Sequence, residues 1–590
     1  ARAMHHMVFI MRSKHLSVHR EASRCVSNLV SSSAFHRLFL DDGGLVSLFR
    51  LCRSLDKETL YNCSLIFRKL SPVLTNHEYI IGKGGLAPLL ILTQATDLET
   101  NKQAAAAMRD LASNINFKAV MAEEGCLTRA VELGRHSDLT LRIMGMGTIR
   151  HLSVNTRVKR PIILEGALGP IFAAIEDELQ DVDLIRQCTA VIGNIAENGE
   201  NQVTLIKDGV LPRLVHLSMF PHPEVKGDVS RTFALLTSNV ENHAGVFGAA
   251  EVKAMIKLTE SEEEAAKRDA LVSLGNIAIM MKNQLMIAKL GGLAAISDSL
   301  DSTFESCQRF ACRCIYRLSA HGDLQRQTLN SGAVPRLSRL CYSPSALVRK
   351  FSAMSLCNIS VDESNQHLMD KLGVLPPLIK LLSDPEEICS RYAAMTIVNL
   401  ATEGANQESI VKQGALPLLI KLASAQDTEA SRFAGMAIAN LAANRRNRAS
   451  IVSLGGLHPL TLMSFAKNLE TQRSAALSLY NLSCAAVNHV PMIRADIITS
   501  LANLGNANDL ECKRFSIMTL ANLAANVETR AAATRGGGLQ TAVALGKDED
   551  LDCRRYACMA MTNMANSAVT QEQLVVHGAL PMILQMANDM

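Results

Sequence analysis

Apolar residues along the chain recur at helical spacing, and glycine and proline interrupt them at short, regular distances. In one representative stretch, Gly373 marks a turn and Pro376 suits the first turn of an apolar helix. Residues 383–385 end that helix, and Ser390 is predicted to begin a longer one. A short helix is predicted to begin near Gln407. The pattern therefore predicts a unit of one short and two longer helices.

This unit repeats along the whole chain. A phrase of glycine, a small or apolar residue, leucine or valine, and often proline recurs, for example at 373–376 and 414–417. The leucine or valine position, or its equivalent, falls at residues 45, 86, 127, 168, 211, 252, 293, 334, 375, 416, 457, 498, 539 and 580. Every interval is 41 residues except one of 43. A fixed period of this kind predicts a repeat protein and excludes a set of independent domains.

Residues 416–456 and their neighbours resemble the armadillo repeats of the superfamily that includes β-catenin, plakoglobin, importin-α and vacuolar adaptors. The glycine before the second helix and the asparagine in the third favour armadillo over HEAT repeats. The resemblance implies an all-α fold, a right-handed superhelical solenoid of about 14 repeats in which each unit buries its apolar face against its neighbours. We expect residues 1–590 to form a single continuous solenoid that starts and ends inside a repeat, as a fragment of a longer chain would.

One position in the predicted third helix, which we call the ladder position, is most often asparagine. Its occupants are Asn28, Lys69, Asp110, His151, Asn194, Leu235, Asn276, Arg317, Asn358, Asn399, Asn440, Asn481, Asn522 and Asn563. Asparagine is a mediocre helix former, so its recurrence inside a helix needs a reason. In the armadillo proteins that the chain resembles, the matching asparagine holds the main chain of a bound peptide. The alternative is that its amide bonds a neighbouring helix and braces the array.

The ladder predicts a partner-binding groove along successive third helices, densest at residues 350–565. The ladder residues assigned to it are Asn194, Asn276, Arg317, Asn358, Asn399, Asn440, Asn481, Asn522 and Asn563. Four residues before the ladder position, importin-α carries tryptophan, whereas this chain has Met354, Met395, Met436, Leu477, Met518 and Met559. The chain contains no tryptophan. A classical nuclear import receptor is therefore not expected, and the methionines are interpreted chiefly as packing residues.

A basic column stands eight residues before the ladder position. Its members are Arg20, Lys102, Arg186, Arg268, Arg309, Lys350, Arg391, Arg432, Arg473, Arg514 and Arg555. A basic residue opposes the dipole at the start of a helix, so we expect these side chains to pair with acids of the adjacent repeat or to line the groove. Arg391, Arg432, Arg473, Arg514 and Arg555 are assigned to the groove, where they would favour an acidic or phosphorylated partner segment. The competing interpretation is that acids such as Glu386, Glu387 and Glu429 neutralise the column.

A further asparagine follows the ladder position by seven residues in many repeats. The members of this set are Asn76, Asn201, Asn242, Asn283, Asn365, Asn406, Asn447 and Asn488. Each precedes a predicted short helix, and asparagine is a favoured N-cap. We therefore interpret this set as N-caps without a functional role.

Composition narrows the function. Sixty Lys and Arg against 56 Asp and Glu give a net charge of +4, which does not indicate nucleic-acid binding. Fifteen scattered cysteines indicate reduced thiols and a cytoplasmic location. No apolar run approaches membrane-spanning length, so attachment to a membrane or cytoskeleton is expected only through a partner or a segment before Ala1. No catalytic constellation, cofactor motif or metal-ligand spacing stands out, and Cys312 and Cys314 would face different sides of a helix.

The sequence therefore favours a non-enzymatic scaffold or adaptor that binds extended or helical segments of other proteins along its groove. A structural subunit of a large cytoskeletal or axonemal assembly is the alternative, in which the outer surfaces would matter more than the groove. A nuclear transport receptor is a weak third interpretation.

Overall fold

The computed structural model describes residues 2–177, 181–242, 246–425 and 427–588, and within these ranges it contains α-helices and short 3₁₀ segments but no strand. The chain groups into two compact units, unit 1 (Ala1–Met280) and unit 2 (Met281–Met590). The all-α prediction is confirmed. A single continuous solenoid over residues 1–590 stays a prediction.

Unit 1 is built from short helices in a regular succession. Its described α-helices are α1 (Arg2–Ile10), α2 (Leu16–Leu29), α3 (His36–Asp41), α4 (Gly44–Leu51), α5 (Lys57–Leu70), α6 (Leu74–Gly82), α7 (Leu86–Leu92), α8 (Leu98–Ala112), α9 (Lys118–Glu123), α10 (Cys126–Gly134), α11 (Leu139–Ser153), α12 (Thr156–Leu164), α13 (Leu168–Asp177), α14 (Val182–Ile195), α15 (Gly199–Lys207), α16 (Val210–Ser218), α17 (Pro223–Ser238), α18 (Ala249–Leu258) and α19 (Glu264–Ile277). The third helices of its repeats are α2, α5, α8, α11, α14, α17 and α19, and each packs against the next.

Unit 2 continues the same succession. Its described α-helices are α20 (Met281–Lys289), α21 (Gly292–Ser299), α22 (Glu305–Ser319), α23 (Gly322–Asn330), α24 (Ala333–Leu340), α25 (Ala346–Ser360), α26 (Glu363–Lys371), α27 (Leu375–Leu381), α28 (Glu387–Leu400), α29 (Gly404–Lys412), α30 (Ala415–Ala423), α31 (Thr428–Ala443), α32 (Arg448–Ser453), α33 (Leu457–Ser464), α34 (Leu469–Ser483), α35 (His489–Arg494), α36 (Ile497–Gly505), α37 (Leu510–Ala525), α38 (Arg530–Thr534), α39 (Gly538–Leu545), α40 (Leu551–Ala565), α41 (Ala568–Val576) and α42 (Ala579–Asn588). The third helices are α22, α25, α28, α31, α34, α37 and α40, again packed in order.

The turn before most second helices follows the predicted chemistry. Gly373 has a φ of +76°, a conformation that glycine enters without a side-chain clash, and α27 begins two residues later with proline in its first turn. In the repeat before α36, Asp496 takes the same place with a φ of +54°. Aspartate is one of the few other residues that tolerate this region. Asp496 is the one residue other than glycine with a positive φ among the described residues, and the turn before α18 departs from the pattern, since Gly248 there has a φ of −93°.

Two local predictions in the repeat at 370–412 need correction. Helix α28 begins at Glu387, three residues before the predicted Ser390, because the acidic side chain of Glu387 is favourable in a first turn. Asn406 is not an N-cap, since it lies inside α29, which begins at Gly404.

The buried asparagines that follow the ladder position by seven residues clip two repeats together. Asn406 is 1% exposed, and its Nδ2 donates to the Leu400 carbonyl at 3.0 Å and to the Gln366 carbonyl of the preceding repeat at 3.3 Å. Asn201 does the same in unit 1, with 3.1 Å to both the Ile195 and Lys159 carbonyls. The amide thus adds a second donor to a carbonyl at the C-terminus of the third helix, which also accepts the backbone N–H of Glu403 in one repeat and of Asn198 in the other. The N-cap interpretation is wrong for Asn406 and Asn201, which lie inside α29 and α15. Asn447 and Asn488 do occupy the N-cap positions of α32 and α35, but their side chains form no cap hydrogen bond.

Candidate functional site

The ladder residues lie on a half-exposed side of the third helices, which we call the third-helix face. In α28 this face consists of Ile388, Arg391, Tyr392, Met395 and Asn399, which recur at helical spacing and are each partly exposed. The other side of α28 is buried in the repeat. Because the third helices of each unit pack side by side, equivalent positions line up in columns within that unit.

Most ladder asparagines use an amide hydrogen to bond the preceding third helix. The distances from the amide nitrogen to its acceptor are 2.8 Å for Asn194 to Ser153 Oγ, 3.4 Å for Asn276 to Thr237 Oγ1, 3.0 Å for Asn358 to the Tyr316 carbonyl, 2.9 Å for Asn399 to Ser360 Oγ, 3.2 Å for Asn440 to the Val398 carbonyl, 2.9 Å for Asn522 to Ser483 Oγ and 3.1 Å for Asn563 to the Ala521 carbonyl. These bonds brace successive repeats. They also fix the orientation of each amide.

The amide oxygens of unit 2 are left without a donor. Within the described residues, the Oδ1 atoms of five braced asparagines accept no hydrogen bond; these asparagines are Asn358, Asn399, Asn440, Asn522 and Asn563. The side chain of Asn481 forms no hydrogen bond to the described part of the chain and is partly exposed. In unit 1, by contrast, Asn194 Oδ1 accepts a bond from Arg231 at 3.0 Å. Bracing and partner binding are therefore compatible in unit 2, because they use different atoms of one amide.

An aromatic column runs beside the ladder of unit 2. Seven residues before the ladder position, the chain places Phe310, Phe351, Tyr392, Phe433, Ser474, Phe515 and Tyr556. All six rings are partly exposed. Near the exception, Ser474, the ring of Tyr480 packs against Phe515 with centroids 5.7 Å apart. Partly exposed rings on a helix face offer broad apolar contact area to a bound chain.

The basic column forms ion pairs between repeats. Arg391 lies 3.1 Å from Asp427, and Arg473 lies 2.6 Å from Asp509. Each aspartate also caps its own third helix by accepting a backbone N–H bond. The hydrogen bond from Arg473 lowers the pKa of Asp509 to about 2. These arginines therefore link each third helix to the start of the next.

Two further members repeat this arrangement. Arg514 lies 2.5 Å from Asp550, which caps α40. Arg432 lies 3.0 Å from Glu429 and 3.2 Å from Glu470. Of the acids expected to neutralise the column, Glu429 does pair with an arginine, but the N-cap aspartates supply most partners. A role of these four arginines in partner binding stays a prediction.

Arg555 and Arg317 differ from these four. Arg555 is exposed, forms no ion pair with the described residues, and lies over the Tyr556 ring at 5.6 Å. Arg317 is partly buried at the ladder position, and burial together with the charge of Arg313 lowers its pKa. Their assignment to a partner site also stays a prediction.

The third-helix face of unit 1 is charged instead of aromatic. At the ladder position, Lys69 donates to the Ser27 carbonyl at 2.8 Å, and Asp110 receives a 2.6 Å bond from Arg68. Burial, reinforced by the charges of Lys118, Arg150 and Arg109, lowers the pKa of His151 to about 4. The ladder positions 69, 110 and 151 are not occupied by asparagine, and the guanidinium groups of the arginines that precede them lie beside these positions.

Comparison with known proteins addresses the fold. No family model matches the chain. A structure described as "A conserved phosphorylation switch controls the interaction between cadherin and beta-catenin in vitro and in vivo" matches with a TM-score of 0.56 and 14% identity, over 95% of this chain and 99% of that one. The chain has the armadillo-repeat fold. A designed armadillo repeat protein is also similar, with a TM-score of 0.38 and 25% identity over 39% of this chain and 99% of that one.

The armadillo resemblance drawn from the sequence is confirmed at the level of fold. The methionines four residues before the ladder are partly exposed on this armadillo frame at Met395, Met436 and Met518, and Met559 is 46% exposed. They contribute apolar surface between the aromatic column and the ladder. Met354, at 8% exposure, packs in the core.

Other chemistry is sparse on the described part of the armadillo array. Burial raises the pKa of Cys312 and of Cys314 to about 12, which disfavours the thiolate that a metal ligand requires. The described residues contain no cluster of three or more His, Cys, Asp or Glu side chains arranged to hold a metal ion. None of the described helices combines the length and apolar character needed to cross a membrane.

Sequence reasoning missed two features of this armadillo array. The aromatic column was readable, because the 41-residue period applied one residue after the basic column finds it. Pairing of the basic column with acids of the adjacent repeat was one of the two expectations, but the partners themselves were not readable. Asp427, Asp509 and Asp550, each 36 residues after its arginine, become partners because the loop carries the next N-cap towards the preceding helix.

Proposed function

We propose that this armadillo-repeat chain is a non-enzymatic protein-interaction scaffold that binds an extended segment of a partner protein along the third-helix face of unit 2. The observation that carries the proposal is the row of oriented amide oxygens without donors, beside six partly exposed aromatic rings. An extended peptide presents one N–H and one C=O per residue, and it needs such partners when it leaves water.

The asparagine ladder and the aromatic column contact different parts of the bound segment. Each Oδ1 accepts a main-chain N–H, and in Asn399, Asn440 and Asn563 the second amide hydrogen is free to donate to a main-chain carbonyl. In Asn358 and Asn522 the amide nitrogen has a second acceptor within the chain, so these two asparagines contribute chiefly through Oδ1. The aromatic and methionine side chains contact the partner's side chains and exclude water from these hydrogen bonds. Each bond contributes about 0.5–1.5 kcal/mol net, so affinity comes from the sum over several repeats.

The fold precedent is consistent with this proposal. The similar structure that contains β-catenin is described by an interaction between β-catenin and cadherin. Because one fold hosts many functions, the argument for this chain depends on its own third-helix face.

The experiment separates binding from bracing with matched variants. Asn399→Ala with Asn522→Ala removes two braces and two oxygens, whereas Ser360→Ala with Ser483→Ala removes the same two brace acceptors and keeps both asparagines. The readout is affinity for the partner protein that co-purifies in stoichiometric amount with the full chain, measured by calorimetry.

We expect the asparagine pair to weaken binding by about 1–3 kcal/mol, and the serine pair to leave it within about twofold. Equal loss in both pairs would mean that the asparagines act only as braces. Unchanged affinity in both pairs would place the partner elsewhere, as the alternative of an assembly subunit requires.

A further inference from the structure

Unit 1 contains a pocket that is separate from the asparagine ladder of unit 2. Residues of four consecutive third helices and their C-terminal turns, α5, α8, α11 and α14, line an open pocket of about 450 Å³. Arg68, Arg109 and Arg150 line it, each one residue before the ladder position and 41 residues from the next. We call it the arginine pocket.

The arginine pocket has an excess of positive charge. Asp110 is the one acid that lines it within the described residues, and this carboxylate lies 2.6 Å from Arg68 and 3.2 Å from Arg109. Arg150 bonds only a neutral group, the Gln187 Oε1 atom at 3.2 Å. Among the residues that line the pocket, three guanidinium groups against one carboxylate leave two positive charges, and Glu224 and Asp228 lie near Arg150 outside this lining.

His151 lies in the wall of the pocket and responds to this field. Its pKa is lowered to about 4 by burial and by the charges of Lys118, Arg150 and Arg109, with Asp110 opposing them. The imidazole is therefore neutral at pH 7 and adds no charge to the pocket.

The backbone makes room for Arg109. Gly147 stands four residues before the ladder position, where most repeats of unit 2 have methionine or leucine. A Cβ atom at Gly147 would lie 2.9 Å from Cδ of Arg109, so a side chain there would displace the arginine. The glycine allows the aliphatic part of the Arg109 side chain to pass over α11 towards Gln187. Gln187 lies on α14, the next helix along the pocket.

We propose that the arginine pocket binds a phosphate monoester dianion carried by a phosphorylated side chain of a partner protein. Guanidinium forks bond phosphate oxygens in a bidentate manner, and two excess positive charges match a dianion. The Nε2 amide of Gln187, which donates to no described residue, adds a neutral donor to the same wall.

A protein segment fits the surroundings better than a lipid surface. Glu224 and Asp228 lie close enough to Arg150 for its charge to act on both carboxyl groups, and they would repel an extended anionic membrane. The lining is polar apart from Pro72, so it lacks the apolar side chains that anchor a protein in a bilayer.

Calorimetry on the full chain tests the proposal with defined probes. The probes are the peptide acetyl-Gly-Gly-phosphoserine-Gly-Gly-amide, its unphosphorylated form, inorganic phosphate, and phosphatidylcholine vesicles containing phosphatidylinositol 4-phosphate. We expect the phosphopeptide to bind more tightly than inorganic phosphate, and the unphosphorylated peptide not to bind. Equal binding of both peptides, phosphate binding as tightly as the phosphopeptide, or binding to the vesicles alone would overturn the proposal.

Variants assign the binding to the pocket. Arg150→Gln should weaken phosphopeptide binding about tenfold or more, because it removes charge-assisted bonds. The exposed Arg157→Gln is the control with the same charge change outside the pocket, and it should stay within about twofold. Asp110→Asn should tighten binding about threefold or more, since it frees Arg68 and Arg109. Arg150→Gln without effect, or Asp110→Asn with unchanged or weaker binding, would contradict the assignment even if the variants fold normally.

Discussion

Units 1 and 2 share one repeat architecture but place their aromatic side chains differently. Unit 1 buries Phe39, Phe67 and Phe233 completely in its core. In the described residues of unit 2, no phenylalanine or tyrosine is buried, and six rings lie on the third-helix face. One residue before the ladder position, unit 1 has Arg68, Arg109 and Arg150 in consecutive repeats, whereas unit 2 has asparagine at six of its seven ladder positions.

The difference shows which positions the fold constrains. Core positions must fill a close-packed interior, so small and aliphatic residues recur there in both units. Positions on the third-helix face need only be compatible with a helix, and their chemistry is therefore available for recognition. Unit 2 is suited to an extended main chain, and unit 1 to an anionic group.

The largest effect we expect concerns a feature that both units share, the buried asparagine clip. Asn406→Ala and Asn201→Ala should each lower the free energy of unfolding by about 1–3 kcal/mol, because each variant removes two buried hydrogen bonds. Urea and thermal unfolding followed by circular dichroism measure this. Asn116→Ala, at an exposed position, is the control. Clip variants as stable as the control would show that these amides do not hold neighbouring repeats together within either unit.

Ladder variants sharpen the comparison within unit 2. Asn399→Ala should cost about 0.5–1.5 kcal/mol of stability because the bond to Ser360 is lost. Asn481→Ala removes no intramolecular hydrogen bond in the described chain, so its unfolding should stay within about 0.5 kcal/mol of wild type. Both should weaken partner binding several-fold. If Asn481→Ala left partner affinity unchanged, the oxygen atoms of the ladder would not be the recognition element.

The smallest effect comes from ion pairs present in both units. Hydrogen bonds from Arg20 and Arg473 lower the pKa of Asp56 and of Asp509 to about 2, against an ordinary value of 3.8. A lowered pKa contributes stability above the ordinary value, and this stability is lost as the pH falls through about 2. Melting temperature should therefore decrease between about pH 4 and pH 2, and less steeply in Asp56→Asn and Asp509→Asn. The exposed Glu528→Gln should retain the wild-type dependence of melting temperature on pH. Equal pH dependence in all variants would show that these ion pairs do not cause the loss of stability in acid.

Features that recur with the 41-residue period could be predicted from the sequence. The glycine turn at Gly373, the proline after it and the columns of third-helix residues all follow from spacing and local conformational preference. Asn406 was misread because an asparagine before a predicted helix resembles an N-cap, and only the real start of α29 shows that it lies inside. The acid that pairs with Arg391 was missed because Asp427 approaches it only in three dimensions.

Site-specific photo-crosslinking tests the central claim most directly. Benzoylphenylalanine replaces Phe433 in unit 2 or Met144 in unit 1, and both positions are partly exposed and lie seven residues before the ladder position. In a third variant it replaces Leu454, which is 49% exposed at the end of α32 and lies outside the third-helix face. The full chain is irradiated with its co-purified partner, and mass spectrometry identifies the crosslinked peptides. The account predicts that one extended partner segment crosslinks at position 433 and not at position 454. Crosslinks confined to position 454 or to position 144 would contradict it.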